Sequence, residues 1–409
     1  MRNRVVITGA GYITSLGSTS KEITNSVRRN APNFSSSGEF EGCVDCPISD
    51  FDLATVTGRW KNKKYLSRGA QLALCAAIRA AEDCSATADL LEDAGLFCGT
   101  GPNFDIGSDF PNIENGNMDS AELAALWMLR YLPNTAASAI SQFLHIHGEN
   151  STIGTACSAS TQAIGEAFRK IKDGYLTIAF AGGGDSRISH GGLLAYKKAQ
   201  AIWNKGGNPN EACRPFDTER SGFIAGEGGA MFVLESLEHA QQRGAHIIAE
   251  ICGYGATMDA HTMTAPHPDA LYAEKAVRSA IAEAQLTPED IDIISSHGTS
   301  TPLNDQMEAA MIERIFSSGK EHQPLVTAIK SWIGHCTAAS GAVELSVLLA
   351  LLENRVVPPV RNLMTPCSDK INFVTGLTEL SDSSMPSTIL LENFGFGGQN
   401  SALVVRLWS

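Results

Sequence analysis

The chain repeats one order of strands, glycine turns and helices, and the second copy begins near residue 245. Residues 5–11 resemble residues 247–255, and a strand, turn and helix over 151–174 resemble residues 325–352. Internal similarity of this kind indicates a duplicated structural unit. We therefore predict an α/β fold whose halves, residues 1–245 and 246–409, form one compact catalytic unit with their reactive turns at a shared centre.

The turn of the first unit carries Cys157, between a short predicted strand and a helix. Apolar residues recur at helical spacing after it, and Gly174 is a plausible end of the helix. A thiol at a helix start faces unpaired N–H groups and the positive end of the helix dipole, so we expect its pKa to be lowered. A free cysteine among small residues is more often a packing residue. A catalytic role therefore requires partners elsewhere in the chain.

Charge and hydropathy exclude several functional classes. The net charge of -13 argues against general nucleic-acid binding. The longest apolar helical run, within residues 345–352, is far shorter than the roughly 20 residues of a membrane span. The first residues run directly into a strand and give no export signal, and the ten cysteines are scattered. We expect a cytoplasmic protein with reduced thiols and no membrane span.

Two familiar patterns do not indicate a cofactor or metal site. Gly9, Gly11 and Gly17 follow the first strand, but the second strand and acidic residue of a dinucleotide site are missing. Cys43 and Cys46 form a single CxxC pair with no second ligand pair. We therefore predict neither a nucleotide cofactor nor a metal.

One basic cluster interrupts this acidic chain, at the start of a helix predicted to end near residue 84. By itself such a cluster is more often a solvated helix start, unless an acidic partner has to be bound. A long polar loop is predicted over residues 101–120, and such loops often line functional sites. The basic residues are Arg59, Lys61, Lys63, Lys64 and Arg68.

Two histidines occupy glycine-containing turns in the second half. His297 follows a predicted strand at 291–296, and Pro302 ends that turn before a helix predicted to begin at Asp305. His335 follows a glycine and enters the second predicted strand-turn-helix unit. Because Cys157 lies in the corresponding turn of the first half, a catalytic constellation is favoured over three unrelated structural residues.

Six motifs in a fixed order support this interpretation. They are Thr155-Ala-Cys157-Ser, Arg214-Pro-Phe-Asp217 with Arg220, Gly222-Phe, His297-Gly-Thr-Ser-Thr-Pro, Lys330-Ser with Gly334-His335 and Glu344, and Phe394-Gly-Phe-Gly-Gly with Asn400. With these motifs, nearly the whole chain resembles the beta-ketoacyl-acyl carrier protein synthases of the thiolase superfamily, specifically the elongating type with a Cys-His-His triad. The resemblance implies a five-layered α-β-α-β-α architecture with two mixed sheets.

The resemblance also implies the reaction. Cys157 would accept an acyl group from a carrier protein as a thioester. Malonyl on a second carrier protein would lose carbon dioxide, and the enolate would attack the thioester while His297 and His335 donate to the enolate oxygen. No resident cofactor is expected, because the substrates arrive on the phosphopantetheine arm of acyl carrier protein.

Supporting roles follow from the same resemblance. Backbone N–H groups of Cys157 and Phe396 would form the oxyanion hole, and Phe396 would gate the acyl pocket. Lys330 and Glu344 would lie behind the histidines. Asp305 would hold that network together, and Thr299 and Thr301 would bind the phosphopantetheine arm.

The basic cluster has a function in this context. Acyl carrier proteins are acidic, and electrostatic complementarity steers and orients such partners. The lysines that match the family's docking positions are Lys61, Lys63, Lys64 and Lys205. We expect the functional form to be a homodimer or a heterodimer with a related synthase-like subunit.

Several residues depart from the family's common pattern near the acyl pocket and its gate. They are Ala159, Ser160, Ala338, Ser340, Glu392 and Asn393, and the 101–120 loop also departs from the common pattern. We therefore predict a dissociated, specialised pathway such as polyketide or aryl polyene synthesis. Fatty-acid elongation in primary metabolism is the second possibility.

Other enzymes of the superfamily fit less well. A thiolase would have a second cysteine in the final glycine turn, and a starter-type synthase would have asparagine at the position of His297. A chain-length-determining partner subunit would lack the nucleophile, whereas Cys157 is present. The chain could still be the active half of a heterodimer.

Overall fold

The computed structural model describes residues 2–105, 125–317 and 323–408. Its strands are β1 (Val5–Ile13), β2 (Ser35–Ser36), β3 (Val44–Cys46), β4 (Gly95–Gly99), β5 (Asn150–Ile153), β6 (Ile178–Ser186), β7 (Ala225–Ser236), β8 (Ala249–Met258), β9 (Ile293–Ser295), β10 (Leu325–Thr327), β11 (Val356–Val357), β12 (Thr378–Glu379), β13 (Thr388–Gly395) and β14 (Gln399–Leu407).

The α-helices are α1 (Ser20–Arg28), α2 (Ala54–Thr57), α3 (Arg68–Asp83), α4 (Ala88–Glu92), α5 (Thr135–Leu144), α6 (Ala159–Lys172), α7 (His190–Lys198), α8 (Pro209–Ala212), α9 (Leu237–Gln242), α10 (Leu271–Glu283), α11 (Pro302–Ile312), α12 (Lys330–Ile333) and α13 (Ser340–Glu353). Short 3₁₀ turns occur at Lys61–Tyr65, Trp127–Arg130, Ala156–Ser158, Pro288–Asp290, Thr337–Ala339 and Asp382–Ser384, and α11 continues as a π-helix over Glu313–Ser317.

The order of neighbouring strands is the same in both halves. The first half has the order β5-β4-β6-β7-β1, and the second has β10-β9-β13-β14-β8. In each, the first three strands of that order run parallel and the last two pair antiparallel. Residues 5–7 of β1 pair with residues 249–251 of β8, so the two mixed five-stranded blocks meet edge to edge in one larger sheet.

Three large apolar cores hold the layers of helices and strands together. One core packs α3 and α5 on the outer face of the first block, and another packs α10 and α11 on the outer face of the second. The central core packs α6 and α13 between the two blocks. Successive side chains of a strand point to opposite faces, so Phe180 enters the outer core while Ala179 and Ala181 enter the central one. The layers therefore alternate α-β-α-β-α.

Helix α13 lies in the middle of this arrangement. Every residue of α13 except Glu353 is buried, as expected for a helix that is apolar around its whole circumference. The apolar run at 345–352 is thus part of a core helix. Within residues 2–105, 125–317 and 323–408, no helix combines the length and the apolar character needed to cross a membrane.

Some predicted boundaries are wrong. The helix ending near residue 84 begins only at Arg68, where the Ser67 hydroxyl accepts the Ala70 N–H, because Ser67 is a good N-cap. Lys61, Lys63 and Lys64 therefore lie in the preceding 3₁₀ turn. Helix α11 begins at Pro302 and not at Asp305, since proline is well tolerated at the first helical position. Residues 106–120 of the predicted polar loop lie outside the described residues.

Candidate active site

The turn that carries Cys157 is sharp. Strand β5 ends at Ile153, a 3₁₀ turn spans residues 156–158, and α6 begins at Ala159. Ala156 has a φ of 49°, in the left-handed region that a residue with a side chain seldom adopts. Thr337, with a φ of 46°, opens the corresponding 3₁₀ turn before α13. The predicted strand-turn-helix geometry is confirmed, and its counterpart occurs in the second half.

The β13–β14 turn closes over Cys157. The Ser158 hydroxyl donates to the carbonyl oxygens of Asn393 and Gln399, at 2.9 and 2.8 Å. A Cβ atom on Gly395 would lie 3.0 Å from both the Cys157 nitrogen and the Thr155 oxygen. Glycine at 395 therefore allows the close backbone approach.

His335 and the Phe396 backbone both contact the Cys157 sulfur. His335 Nε2 lies 3.1 Å from Cys157 Sγ. The backbone N–H of Phe396 donates a hydrogen bond to the same sulfur. Both donors stabilise the negative charge of a thiolate.

The expectation of a lowered Cys157 pKa is wrong. Burial raises the pKa of the thiol to about 11, and this outweighs the opposing effects of Lys330 and the Phe396 N–H. The sequence indicated the helix start but not the loss of solvent around the sulfur. In the resting structure Cys157 is therefore a protonated thiol beside a histidine.

The hydrogen bonds of His335 fix its tautomer. Its Nδ1 accepts the backbone N–H of Thr337 at 3.3 Å and lies 2.8 Å from the Ser340 hydroxyl. A backbone N–H can only donate, so Nδ1 has no hydrogen and a neutral ring carries its proton on Nε2. That N–H faces Cys157.

His297 is fixed in the same way by different partners. Its Nδ1 lies 3.1 Å from Lys330 Nζ and 3.4 Å from Asn393 Nδ2, and both are donors. The proton of a neutral His297 is therefore on Nε2 as well. The two imidazole rings lie 5.5 Å apart, nearly perpendicular. Both can thus donate into one shared space.

Both histidines are neutral. Burial, followed by the charge of Lys330, holds the pKa of each imidazole well below its usual range. A neutral imidazole ring with its proton on Nε2 donates one hydrogen bond from that atom without carrying a positive charge.

A buried ion pair stands behind His297. Lys330 Nζ lies 2.6 Å from Glu344 Oε1, and both side chains are 1% exposed. Asn393 Nδ2 donates to Glu344 Oε2 at 3.1 Å. Burial raises the pKa of Glu344, while Lys330 opposes that rise by favouring the carboxylate. The structure thus places Lys330 next to His297 and Glu344 behind Lys330, while their catalytic roles stay predictions.

Asp305 organises the loop that follows His297. Its carboxylate accepts the N–H groups of Phe216, Thr299 and Ser300, at 2.8, 3.0 and 3.0 Å. Arg220 lies 3.9 Å away. The structure therefore places Asp305 in the predicted network, where it joins the loop to the segment at Phe216.

A cavity of about 350 Å³ opens onto these groups. Cys157, His297 and His335 line it together with Thr299, Thr301 and Phe396, so residues from both halves meet there. The hydroxyls of Thr299 and Thr301 are 2.8 Å apart. The Phe396 side chain is 38% exposed and its ring lies 6.4 Å from that of Tyr196.

The predicted docking lysines lie away from this cavity. Lys63 forms an ion pair with Asp52, and Lys64 and Lys205 lie against aromatic rings. Among the residues that the structure describes, neither these lysines nor Lys61 lines the cavity. Their role in docking stays a prediction.

Two further lysines are closer to the cavity. A surface hollow shares Gln200 and Ser221 with the cavity wall and is lined by Lys197 and Lys198. Both lysines end helix α7. Their charge is positioned at the edge of the cavity, and the sequence motifs did not single them out.

Three supporting residues were not predicted. Asn393 contacts both His297 and Glu344, and Ser340 contacts His335. Glu308 accepts the backbone N–H of His297 at 2.6 Å. Asn393 and Ser340 had been noted only as departures from a common pattern. Glu308 follows Asp305 at helical spacing on α11, and that spacing was the available signal.

Family models match both halves of the chain. The family described as "Beta-ketoacyl synthase, N-terminal domain" matches residues 2–240, and the one described as "Beta-ketoacyl synthase, C-terminal domain" matches residues 248–364. The "3-oxoacyl-[acyl-carrier-protein] synthase 2" of Synechocystis sp. is 31% identical over 415 residues, which cover 99% of this chain and 98% of that protein.

Solved structures are similar over the whole chain. "The ishigamide ketosynthase/chain length factor" superposes with a TM-score of 0.88 at 29% identity, covering 100% of both chains. A complex described as "AntDE:AntF (apo): type II PKS acyl-carrier protein in complex with its ketosynthase bound to the hexaketide" gives a TM-score of 0.87 at 25% identity, again covering 100% of both chains. The predicted thiolase-like fold class is confirmed. This chain belongs to the beta-ketoacyl synthases, the condensing enzymes of the thiolase superfamily.

Proposed function

We propose that the chain condenses an acyl group held on Cys157 with malonyl-acyl carrier protein, with loss of carbon dioxide, to give beta-ketoacyl-acyl carrier protein. The observation that carries this proposal is the pair of Nε2–H donors beside the thiol. His335 Nε2 is 3.1 Å from Cys157 Sγ, and His297 lies next to it with its Nδ1 occupied by Lys330.

In the first half-reaction, the Cys157 sulfur attacks the thioester carbonyl of an acyl carrier protein. The new sulfur–carbon bond forms as the bond to the phosphopantetheine sulfur breaks, and the proton of Cys157 leaves with that thiol. The tetrahedral oxyanion would be held by the backbone N–H groups of Cys157 and Phe396. The close approach of Gly395 to Cys157 supports this arrangement.

In the second half-reaction, malonyl thioester loses carbon dioxide and leaves an enolate. The Nε2–H groups of His297 and His335 would donate to the enolate oxygen, which develops negative charge as the carbon–carbon bond to carbon dioxide breaks. The enolate carbon then attacks the Cys157 thioester and releases the thiolate. Two donors fixed beforehand require no reorganisation during this step.

The phosphopantetheine arm would enter through the cavity. Thr299 and Thr301 line its wall, and their hydroxyl groups would bind the amides of the arm. Phe396, which also lines the cavity, would cover the approach to the acyl side and would move to admit the chain. Lys197 and Lys198, together with the four predicted docking lysines, would attract the acidic carrier.

We assign the enzyme to a dissociated, specialised pathway such as polyketide or aryl polyene synthesis. The departures at Glu392 and Asn393 and the similarity to a hexaketide-bound ketosynthase support this assignment. Fatty-acid elongation is the second candidate, because the Synechocystis relative is a 3-oxoacyl-acyl carrier protein synthase. A homodimer, or a heterodimer with a synthase-like subunit, would be the working form, and the ketosynthase/chain length factor pair supports the latter.

Mass spectrometry of Cys157 tests both the proposed mechanism and the proposed pathway. The protein is incubated with saturated and polyunsaturated acyl carrier proteins, and the acylated fraction is followed before and after malonyl-acyl carrier protein is added. We expect Cys157 to be acylated, with the polyunsaturated groups preferred. Acylation that persists in Cys157→Ala would refute the mechanism, and a strong preference for saturated groups would refute the specialised pathway.

A further inference from the structure

The carboxyl group of Glu392 is buried without a hydrogen-bond donor. Glu392 lies on β13, directly before Asn393, and its side chain is inaccessible to solvent. Among the described residues, neither of its carboxyl oxygens accepts a hydrogen bond. An ionised carboxylate in this position would lack the partners that normally offset the cost of burying a charge.

The group that Glu392 faces is another carboxyl, that of Glu308 on α11. Glu308 is also fully buried, but it has three donors. Its Oε1 accepts the backbone N–H of His297 at 2.6 Å. Its Oε2 accepts the backbone N–H of Gly298 at 2.8 Å and a hydrogen bond from Asn304 Nδ2 at 3.1 Å. Glu308 therefore holds the backbone from which the His297 ring projects.

Two buried carboxyl groups in contact cannot both be ionised, because like charges repel strongly without solvent. Glu308 has donors for both oxygens and Glu392 has none, so the shared proton belongs on Glu392. We propose that Glu392 is a positioning residue that stays protonated and donates a hydrogen bond to the Glu308 carboxylate, which keeps His297 in place. This inference rests on the proposed condensation, in which His297 acts on the enolate.

The charges around the pair favour one shared proton. Asp305, on the same helix as Glu308, repels the Glu308 carboxylate, and Lys330 on α12 attracts it. Burial, followed by Asp305, raises the pKa of Glu308 to about 7. Burial and the neighbouring Glu308 raise the pKa of Glu392 well above its usual range.

Loss of the shared proton would slow condensation but not the acylation of Cys157. With both carboxyl groups ionised, repulsion would displace Glu308 from the N–H groups of His297 and Gly298. The His297 Nε2–H would then no longer point at the enolate oxygen, so condensation would slow at alkaline pH. Acylation of Cys157 would continue, since it relies on His335 and the Phe396 backbone.

The test compares Glu392→Gln with the wild-type enzyme after Cys157 has been acylated. The amide of glutamine donates to Glu308 as the protonated acid does, and it cannot ionise. Condensation with malonyl-acyl carrier protein is measured from about pH 6 to about pH 10, as rate constants in single turnover. We expect the wild-type rate constant to fall at alkaline pH. The rate constant of the variant divided by that of the wild type should therefore rise at least about tenfold between about pH 6 and about pH 10.

Two further variants keep the test specific. Glu308→Gln cannot accept both backbone N–H groups, so we expect it to slow condensation by about tenfold or more at every pH while Cys157 acylation proceeds. Glu41→Gln, an exposed control, should follow the wild-type profile. Acylation by intact-mass measurement and thermal unfolding show whether each variant is folded.

Three outcomes would overturn the inference. These are a Glu392→Gln profile parallel to that of the wild type, a loss of condensation in this variant at every pH, and a wild-type rate that depends on added potassium while the variant rate does not. The last two would mean that Glu392 works as an ionised carboxylate, paired with a cation in the potassium case, and not as the protonated acid. A wild-type enzyme that becomes acylated but never condenses would instead refute the proposed function.

Discussion

Replacing Lys330 by methionine tests whether the buried ion pair fixes the His297 tautomer. Methionine keeps the length of the lysine stem but removes the ammonium group, which lies 3.1 Å from His297 Nδ1 and 2.6 Å from Glu344 Oε1. The Asn393 amide, at 3.4 Å, is then the remaining described donor to Nδ1. This contact is longer than the one that is lost, so Nδ1 is held less firmly as an acceptor. A His297 proton that moves to Nδ1 would leave Nε2 without a hydrogen for the enolate.

The expected loss is that of one donor to a developing oxyanion. Such a donor contributes about 3 to 4 kcal/mol, so condensation should slow by about 10² to 10³-fold. Acylation of Cys157 should slow by less than about tenfold, because its two donors remain and only the long-range effect of Lys330 on the thiol pKa is lost. The two half-reactions should therefore separate.

Stability should respond differently from activity. Removing one partner of a buried ion pair costs about 3 to 5 kcal/mol, so Lys330→Met should unfold at lower urea concentration. Adding Glu344→Gln removes the uncompensated carboxylate and should restore most of that stability but not the condensation rate. This double variant is the matched control for folding.

The assay measures the two half-reactions apart. Acylation is followed by intact mass, and condensation is followed in single turnover from enzyme acylated beforehand. Condensation within about threefold of the wild type, or equal losses in both half-reactions, would show that Lys330 does not act through His297.

Three further predictions concern the same cavity. Alkylation of Cys157 by iodoacetamide should accelerate as pH rises towards about 11, because the raised pKa leaves little thiolate at neutral pH; a plateau below about pH 8 would contradict this. Asn393→Asp places a second carboxylate against Glu344 and should slow condensation by about 10²-fold, whereas an unchanged single-turnover rate would show that this amide is dispensable. Lys198→Glu should raise KM for carrier-bound substrates more than Lys64→Glu does, and the difference should shrink with added salt. KM values that are equal in the two variants and independent of salt would rule out electrostatic steering by Lys198.

The sequence predicted the elements of the site because they are local. Apolar periodicity after Cys157 predicted where the helix begins. The glycine turns around His297 and His335 indicated that both residues lie at a shared catalytic centre. The repeated order of elements gave the duplicated topology. The resemblance to the family implied roles for Lys330, Glu344, Asp305 and the threonines. The structure shows which groups these residues contact, and their roles stay predictions.

The features that the sequence did not predict depend on long-range packing. The pKa of Cys157 is set by burial, which no local pattern reports. The contacts of Asn393 with His297 and Glu344 join residues that are 96 and 49 positions apart. The positions of Lys197 and Lys198 at the cavity edge depend on how α7 packs. Such relations become visible only when the chain is folded.

The edge-to-edge pairing of β1 with β8 has a mechanical consequence. A rigid-body opening of the halves would break main-chain hydrogen bonds at residues 5–7 and 249–251 and would part α6 from α13 in the central core. Hinge motion between the halves would therefore carry a large energetic cost. We expect substrates to enter and leave through local movement of the cavity wall, such as the turn that carries Phe396, while the two halves stay fixed.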